Sequence, residues 1–171
     1  RCFDLATGRE QWTFAYDAPG EVGSDGSRMT PTVDESYIYT AGMMGDLYCI
    51  DRKTHKPVWH RNIMKDFGIE ELTWGVVQAP SLYKDLVVVA PQATNATVAA
   101  YNRLTGELVW QSEGFGKESY TTPIITTLAG VDQAVMITGV PEFSDATGQV
   151  AGVSMADGST LWTYDGWQCE I

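Results

Sequence analysis

Long apolar runs are missing from this sequence. The longest stretches, such as Leu86-Val87-Val88-Val89-Ala90, stop far short of the roughly 20 residues a membrane helix needs, so no membrane span is expected. Positive charge is scarce: 11 Lys and Arg face 22 Asp and Glu, for a formal net charge of −11. A phosphate backbone would meet a repelling surface, which argues against nucleic acid as a partner. Cysteine is scarce too. Cys2, Cys49 and Cys169 cannot all pair with one another, and their spacing fits neither a zinc site nor a CxxC redox motif. Arg1-Cys2-Phe3-Asp4 carries no initiator Met, charged n-region or apolar h-region, so the chain is expected to begin inside a longer sequence. What is present is 171 residues with 44% hydrophobic content, enough for a sizeable core and too apolar for intrinsic disorder.

Self-similarity organises those residues. Asp4 to Trp12, Asp51 to Trp59, Asn102 to Trp110 and Ser154 to Trp162 align without a gap. Each begins with a short polar residue, carries Thr or Asp three later, Gly or His four later and Trp eight later. The tryptophans advance by 47, 51 and 52 residues. A second landmark, a Pro opening an apolar stretch, recurs at Pro31, Pro80 and Pro123. After each Pro the pattern predicts a strand, a turn, and a β-prone run: Tyr37 to Thr40, Leu86 to Ala90 and Gln133 to Thr138. A longer loop leads to a third strand ending at the motif's polar residue. An Asp-x-x-Thr-Gly turn follows, in which the side chain accepts backbone N–H bonds and Gly takes positive φ. A fourth strand carries the Trp. Four strands at this period predict β-propeller blades in an all-β fold. Blades are expected over 27–62, 76–113 and 119–165, with 1–16 giving the last two strands of an earlier one. The expected fold is an open arc of about three and a half blades from a larger propeller, since closed propellers have roughly four to eight.

The Pro-opened strand, the Thr-Gly turn and the Trp four residues past the Gly resemble the pyrroloquinoline-quinone (PQQ) enzyme repeat. That family includes quinoprotein alcohol dehydrogenases and a non-enzymatic lipoprotein of outer-membrane protein assembly. The resemblance covers essentially the whole chain and implies that Trp12, Trp59, Trp110 and Trp162 dock neighbouring blades. Departures are His55 in the Gly slot and Ser154 in the Asp slot. The resemblance also implies a periplasmic or secreted bacterial location, the remaining blades of the same propeller as partners, and PQQ with calcium only in the complete propeller. The adjacent cysteine pair associated with quinoprotein dehydrogenases is absent from this stretch.

Function is expected on the rim that gathers the long loops. Aligned on the prolines, Arg28, Val77 and Tyr120 stand three positions before, and Met29, Gln78 and Thr121 two before, with Trp74 and Glu118 further upstream. Arg28, Trp74, Gln78, Glu118 and Tyr120 are the candidate ligand contacts, because a cation, an amide and aromatic faces can grip a planar or anionic group. The alternative is that they fill or solvate a channel. Glu70 with Glu71 and Glu142 with Asp145 read either as a base or metal cluster or as solvated loop charge, and no catalytic or metal set is assigned. His55 suits a positive-φ turn, and His60 faces away from Trp59. Cys2, Cys49, Ala100 and Gly152 share one repeat column and read as a tight packing position. Asn95-Ala96-Thr97 matches a glycosylation sequon at the level of chance. Three functions stay open: a scaffold module holding a protein or small ligand, part of a PQQ-dependent alcohol dehydrogenase, or a structural propeller domain.

Overall fold

The repeat's turn is closed in the same way four times. The N–H of the fifth motif residue donates to the carbonyl of the first: Gly8 to Asp4, His55 to Asp51 and Gly106 to Asn102 at 2.8 Å, and Gly158 to Ser154 at 2.9 Å. Asp4, Asp51 and Asn102 each also accept, through Oδ1, the N–H three residues on, at 2.8, 2.6 and 3.1 Å. The Thr7 hydroxyl, with its N–H, holds the Asp4 carboxyl below its ordinary pKa, and the Thr54 N–H, with its hydroxyl, does the same for Asp51. Ser154 is too short for that reach. Its Oγ accepts from Ala156 N–H at 3.2 Å instead, and Asp157 caps Ser159 N–H at 3.1 Å. His55 adopts φ 59°, beside 71° at Gly106, so both departures from the motif keep the turn.

The computed structural model describes residues 1–22, 26, 28–70, 72, 74–116, 119–139 and 148–167. Three four-stranded antiparallel sheets follow one another in chain order. They are β3 (Thr32–Val33), β4 (Tyr37–Ala41), β5 (Asp46–Asp51) and β6 (Pro57–Asn62); β7 (Ser81–Tyr83), β8 (Leu86–Val89), β9 (Ala99–Asn102) and β10 (Leu108–Gln111); and β11 (Ile124–Leu128), β12 (Val131–Ile137), β13 (Gly148–Ser154) and β14 (Thr160–Trp167). A two-stranded sheet, β1 (Cys2–Phe3) with β2 (Glu10–Trp12), precedes them. The sheets form an open arc.

The middle sheet explains the continuous apolar run of β8. Alternate residues of a strand face opposite sides, and here both sides are covered. Val87, Val89, Ala99 and Tyr101 pack towards Tyr39, Ala41, Leu47 and Cys49 of the preceding sheet. Val88, Ala100 and Trp110 pack towards Ala134, Met136 and Val153 of the following one. Burial pushes the Cys49 thiol up to about 11.

The motif tryptophans sit against their own small column, and Trp12, Trp59 and Trp110 sit also against the next sheet's turn. In register, Trp12 faces Cys2, Trp59 faces Cys49, Trp110 faces Ala100 and Trp162 faces Gly152. A Cβ on Gly152 would stand 2.2 Å from Trp162 Nε1, so the indole requires a small residue opposite. Trp12 stacks on His55 of the next turn at 4.2 Å. Trp59 donates Nε1–H to the Arg103 carbonyl at 2.9 Å and lies over Gly106, where a Cβ would come within 2.7 Å of its ring. Trp110 is 7% exposed and crowds Gly158 in the same way.

Candidate functional site

In the long rim connection that follows β6 stands a short helix that the repeat pattern does not predict, α1 (Ile63–Phe67). Its signals are local. Asn62 caps Lys65 N–H, Ile63 and Phe67 recur four apart on a buried face, and Gly68 ends the helix at φ 66°. The missed signal was therefore legible, but a single turn between strands is too short to outweigh the repeat pattern. Tyr101, 1% exposed, donates its hydroxyl to Asp66 Oδ2 at 2.8 Å and meets Phe67 edge-on. Burial, with the Asp66 carboxylate beside it, holds the Tyr101 phenol far above its ordinary pKa. The segment after α1 returns to the sheet where Val76 N–H donates to the Met43 carbonyl at 2.8 Å. Trp74 rides on this strap.

Arg28, Trp74, Val77 and Tyr120 line an open depression of about 460 Å³. Each precedes the first strand of its sheet, so three sheets contribute to one place. Arg28 donates Nη1–H to the Trp74 carbonyl at 2.6 Å, and its guanidinium carbon lies 5.7 Å from the indole centroid, within cation–π range. Trp74 is 48% exposed. Tyr120 has φ 55°, a conformation that costs a bulky residue about 1–3 kcal/mol and persists only where its surroundings dictate it. Its neighbours do so. Ser119 N–H donates to Gln92 Oε1 at 2.7 Å, and Thr121 Oγ1 donates to the Ile137 carbonyl at 3.0 Å.

The other sequence candidates fall elsewhere. Gln78 is buried, its Oε1 accepting from Val77 N–H at 3.2 Å, and does not line the depression. Val77 takes that place. Glu118, Glu71, Glu142, Asp145 and Cys169 lie outside the described residues. Among the described residues, no three His, Cys, Asp or Glu side chains converge as a metal set. His60 pairs with Asp46 at 2.8 Å and stacks on Tyr48 at 4.3 Å. A second, apolar cleft of about 780 Å³ lies beside the two-stranded sheet, bordered by Trp12, Phe14, Tyr16, Met29, Val33 and Ile38.

Comparison with known proteins supplies the lineage. The sequence profile of the family described as outer membrane protein assembly factor BamB matches residues 1–166. The chain belongs to the PQQ-like β-propeller repeat family. BamB from Moraxella catarrhalis superposes on this propeller arc with a TM-score of 0.66 at 19% identity, over 97% of this chain and 46% of that one. Quinohemoprotein alcohol dehydrogenase ADHIIG from Pseudomonas putida HK5 gives 0.64 at 20% identity, over 82% and 20%. The 1-butanol dehydrogenase (cytochrome c) of Thauera butanivorans is 28% identical over 102 residues, which are 57% of this chain and 14% of that enzyme. This PQQ-like arc thus spans less than half the length of each.

Proposed function

We propose that this chain is part of a propeller that acts as a protein-binding scaffold through its long-loop rim. One observation carries the reading: Arg28, tied to the Trp74 carbonyl and lying over the indole, stands beside Tyr120 in an open depression. A small ligand is usually enclosed over most of its surface, which an open depression does not offer. Trp74 is exposed and Arg28 and Tyr120 are half-buried beside it, and Trp, Tyr and Arg held in place beforehand are the residue types that dominate protein–protein contacts. The family description, an outer membrane protein assembly factor, supports an assembly role in a bacterial periplasmic or secreted setting. On this reading 1–16, 27–62, 76–113 and 119–165 are blade units and the rest of the propeller completes the ring. The test is a photo-crosslinking residue placed at position 74 of the full-length protein in its source cells. A discrete partner band is expected, lost with Arg28→Ala and absent when the probe replaces exposed Leu104 on the opposite rim; equal labelling from both rims refutes the reading.

The similarity to 1-butanol dehydrogenase favours a second reading, part of a PQQ-dependent alcohol dehydrogenase. The described residues do not fit PQQ with calcium. One face of Trp74 is taken by Arg28, the Gln78 amide oxygen is engaged by backbone, and no set of hard oxygen ligands converges here. Alcohol-dependent dye reduction by the full-length protein with PQQ and calcium, lost in Arg28→Ala, would establish this reading over the scaffold.

A further inference from the structure

Given the protein-binding reading of the long-loop rim, on which this rests, we propose that the partner segment held there is an extended proline-bearing stretch flanked by Lys or Arg, its proline laid on the open face of Trp74 beside Tyr120. Trp74 offers the contact. Its side chain is 48% exposed, and Arg28 lies over one face of the indole at 5.7 Å, which leaves the other face for a partner. The indole N–H has no hydrogen-bond partner among the described residues, although the Trp74 carbonyl is fixed by Arg28 at 2.6 Å. A held ring with an unspent donor matches a ligand that sets a carbonyl next to an apolar ring. Proline does so: it has no N–H to strand on the indole, and the carbonyl before it stays free to accept. In the polyproline II conformation no carbonyl is used internally, and aromatic-lined grooves recognise that conformation.

Tyr120 and Val77 supply the other walls of the depression. Tyr120 is set in advance by a strut between two sheets. Gln92, in the loop after β8, is itself left-handed at φ 54°, beside 55° at Tyr120. Its amide accepts the Ser119 N–H at 2.7 Å and donates to Ser119 Oγ at 2.9 Å, and Ser119 is fully buried. Two bulky residues in strained backbone, tied to each other through one buried serine, hold the rim rigid where the aromatic wall stands. A rigid wall and an already extended segment lose little freedom on meeting, which favours a polyproline II ligand over a flexible one.

Charge selects the flanks. The connections that lead to the depression, 16–29, 64–75 and 114–120, carry acids at positions 17, 21, 25, 66, 70, 71 and 118 and bases only at 28, 65 and 117, in a chain of net charge −11. Such a field repels an acidic segment and draws a basic one. A cation on the indole itself is disfavoured, because the Arg28 guanidinium already lies across the ring. Lys or Arg therefore belongs beside the proline and not on Trp74.

Dye-labelled peptides titrated against the full-length protein, followed by fluorescence anisotropy, test this. The probes are an arginine-capped oligoproline, an arginine-capped Ser-Gly repeat of the same length and a glutamate-capped oligoproline. The first is expected to bind at least tenfold more tightly than either of the others. Trp74→Ala should abolish that preference, and Trp74→Phe, which keeps an aromatic face without the N–H, should lower it several-fold. Tyr120→Gly removes the other ring while relieving the left-handed backbone, so it folds without strain and should weaken binding at least fivefold. Equal binding of the proline and Ser-Gly peptides, or oligoproline binding that survives Trp74→Ala and Tyr120→Gly, overturns the proposal. A photo-crosslinking residue at position 77, which leaves Trp74 in place, separates it from the reading beneath it. A partner captured through a segment without proline and Lys or Arg overturns the proline ligand and leaves the scaffold standing, whereas no partner band removes both.

Discussion

The two junctions that flank the middle sheet use the same indole and the same turn, yet they are held differently. Where β3–β6 meets β7–β10, the contact is fastened by polar groups: Trp59 N–H on the Arg103 carbonyl at 2.9 Å, Arg61 Nε–H on the Gly106 carbonyl at 2.5 Å, and Arg103 Nη1 on Asp34 Oδ2 at 2.8 Å. Where β7–β10 meets β11–β14, Trp110 is more deeply buried among Val88, Ala134, Met136 and Met155, and its N–H has no partner among the described residues. Polar links there lie at the margin, Tyr83 on Asp132 and Thr160 on Glu113. Shape therefore seats the indole, and hydrogen bonds are added to it or not according to the local residues.

The largest effect should come from emptying the seat. Trp110→Ala is expected to cost about 3–5 kcal/mol in urea unfolding, the range for deleting a buried aromatic side chain. A loss below about 1 kcal/mol would mean that the second junction does not depend on its indole, and the comparison would fail at its first step.

A smaller change sharpens it. Trp59→Phe and Trp110→Phe remove similar volume but opposite polar consequences. The first strips the shorter of two donors from the Arg103 carbonyl, which keeps the Tyr39 hydroxyl at 3.3 Å, whereas the second deletes a buried N–H that has nothing to bond. Trp59→Phe should therefore cost about 1 kcal/mol more than Trp110→Phe, even though Trp110 is the more buried residue. Equal losses in denaturation midpoint would show that packing alone decides both junctions.

Much of this was legible in the sequence because it is local and repeated. The in-phase Asp, Thr-Gly and Trp positions gave the turns, and the small column of Cys2, Cys49, Ala100 and Gly152 read as tight packing, which the structure places opposite each indole. Arg28, Trp74 and Tyr120 were picked out by alignment on the prolines, and the structure brings all three together. Gln78 is buried just before β7, next to the Val77 that lines the depression. The Arg28 bond to the Trp74 carbonyl and the left-handed Tyr120 were not legible. Both depend on residues 27 to 46 positions away in sequence, which no local pattern encodes. The difference between the junctions was hidden for the same reason, since Asp34 and Arg103 are 69 residues apart.

The smallest expected effect tests the charge at the polar junction. Partial burial raises the Asp34 pKa, but the Tyr37 and Ser36 N–H bonds and the Arg103 guanidinium outweigh it and hold the carboxyl below its ordinary value. A folded pKa below the unfolded one gives stability that is fully present above about pH 4 and is lost as pH falls through the folded value. Asp34→Asn keeps an oxygen for the Ser36 and Tyr37 N–H groups and replaces the charged Oδ2 acceptor facing Arg103 and Tyr39 with an amide NH2. The variant should thus be less stable than wild type by up to about 1 kcal/mol at pH 7, by the same margin at pH 5, and by a shrinking margin below pH 4 as the wild-type carboxyl takes up its proton. Urea midpoints at pH 7, 5 and 3 read this directly. A margin that stays constant to pH 3 would mean that Asp34 works as a neutral acceptor, and that the first junction differs from the second by its hydrogen bonds and not by its charge.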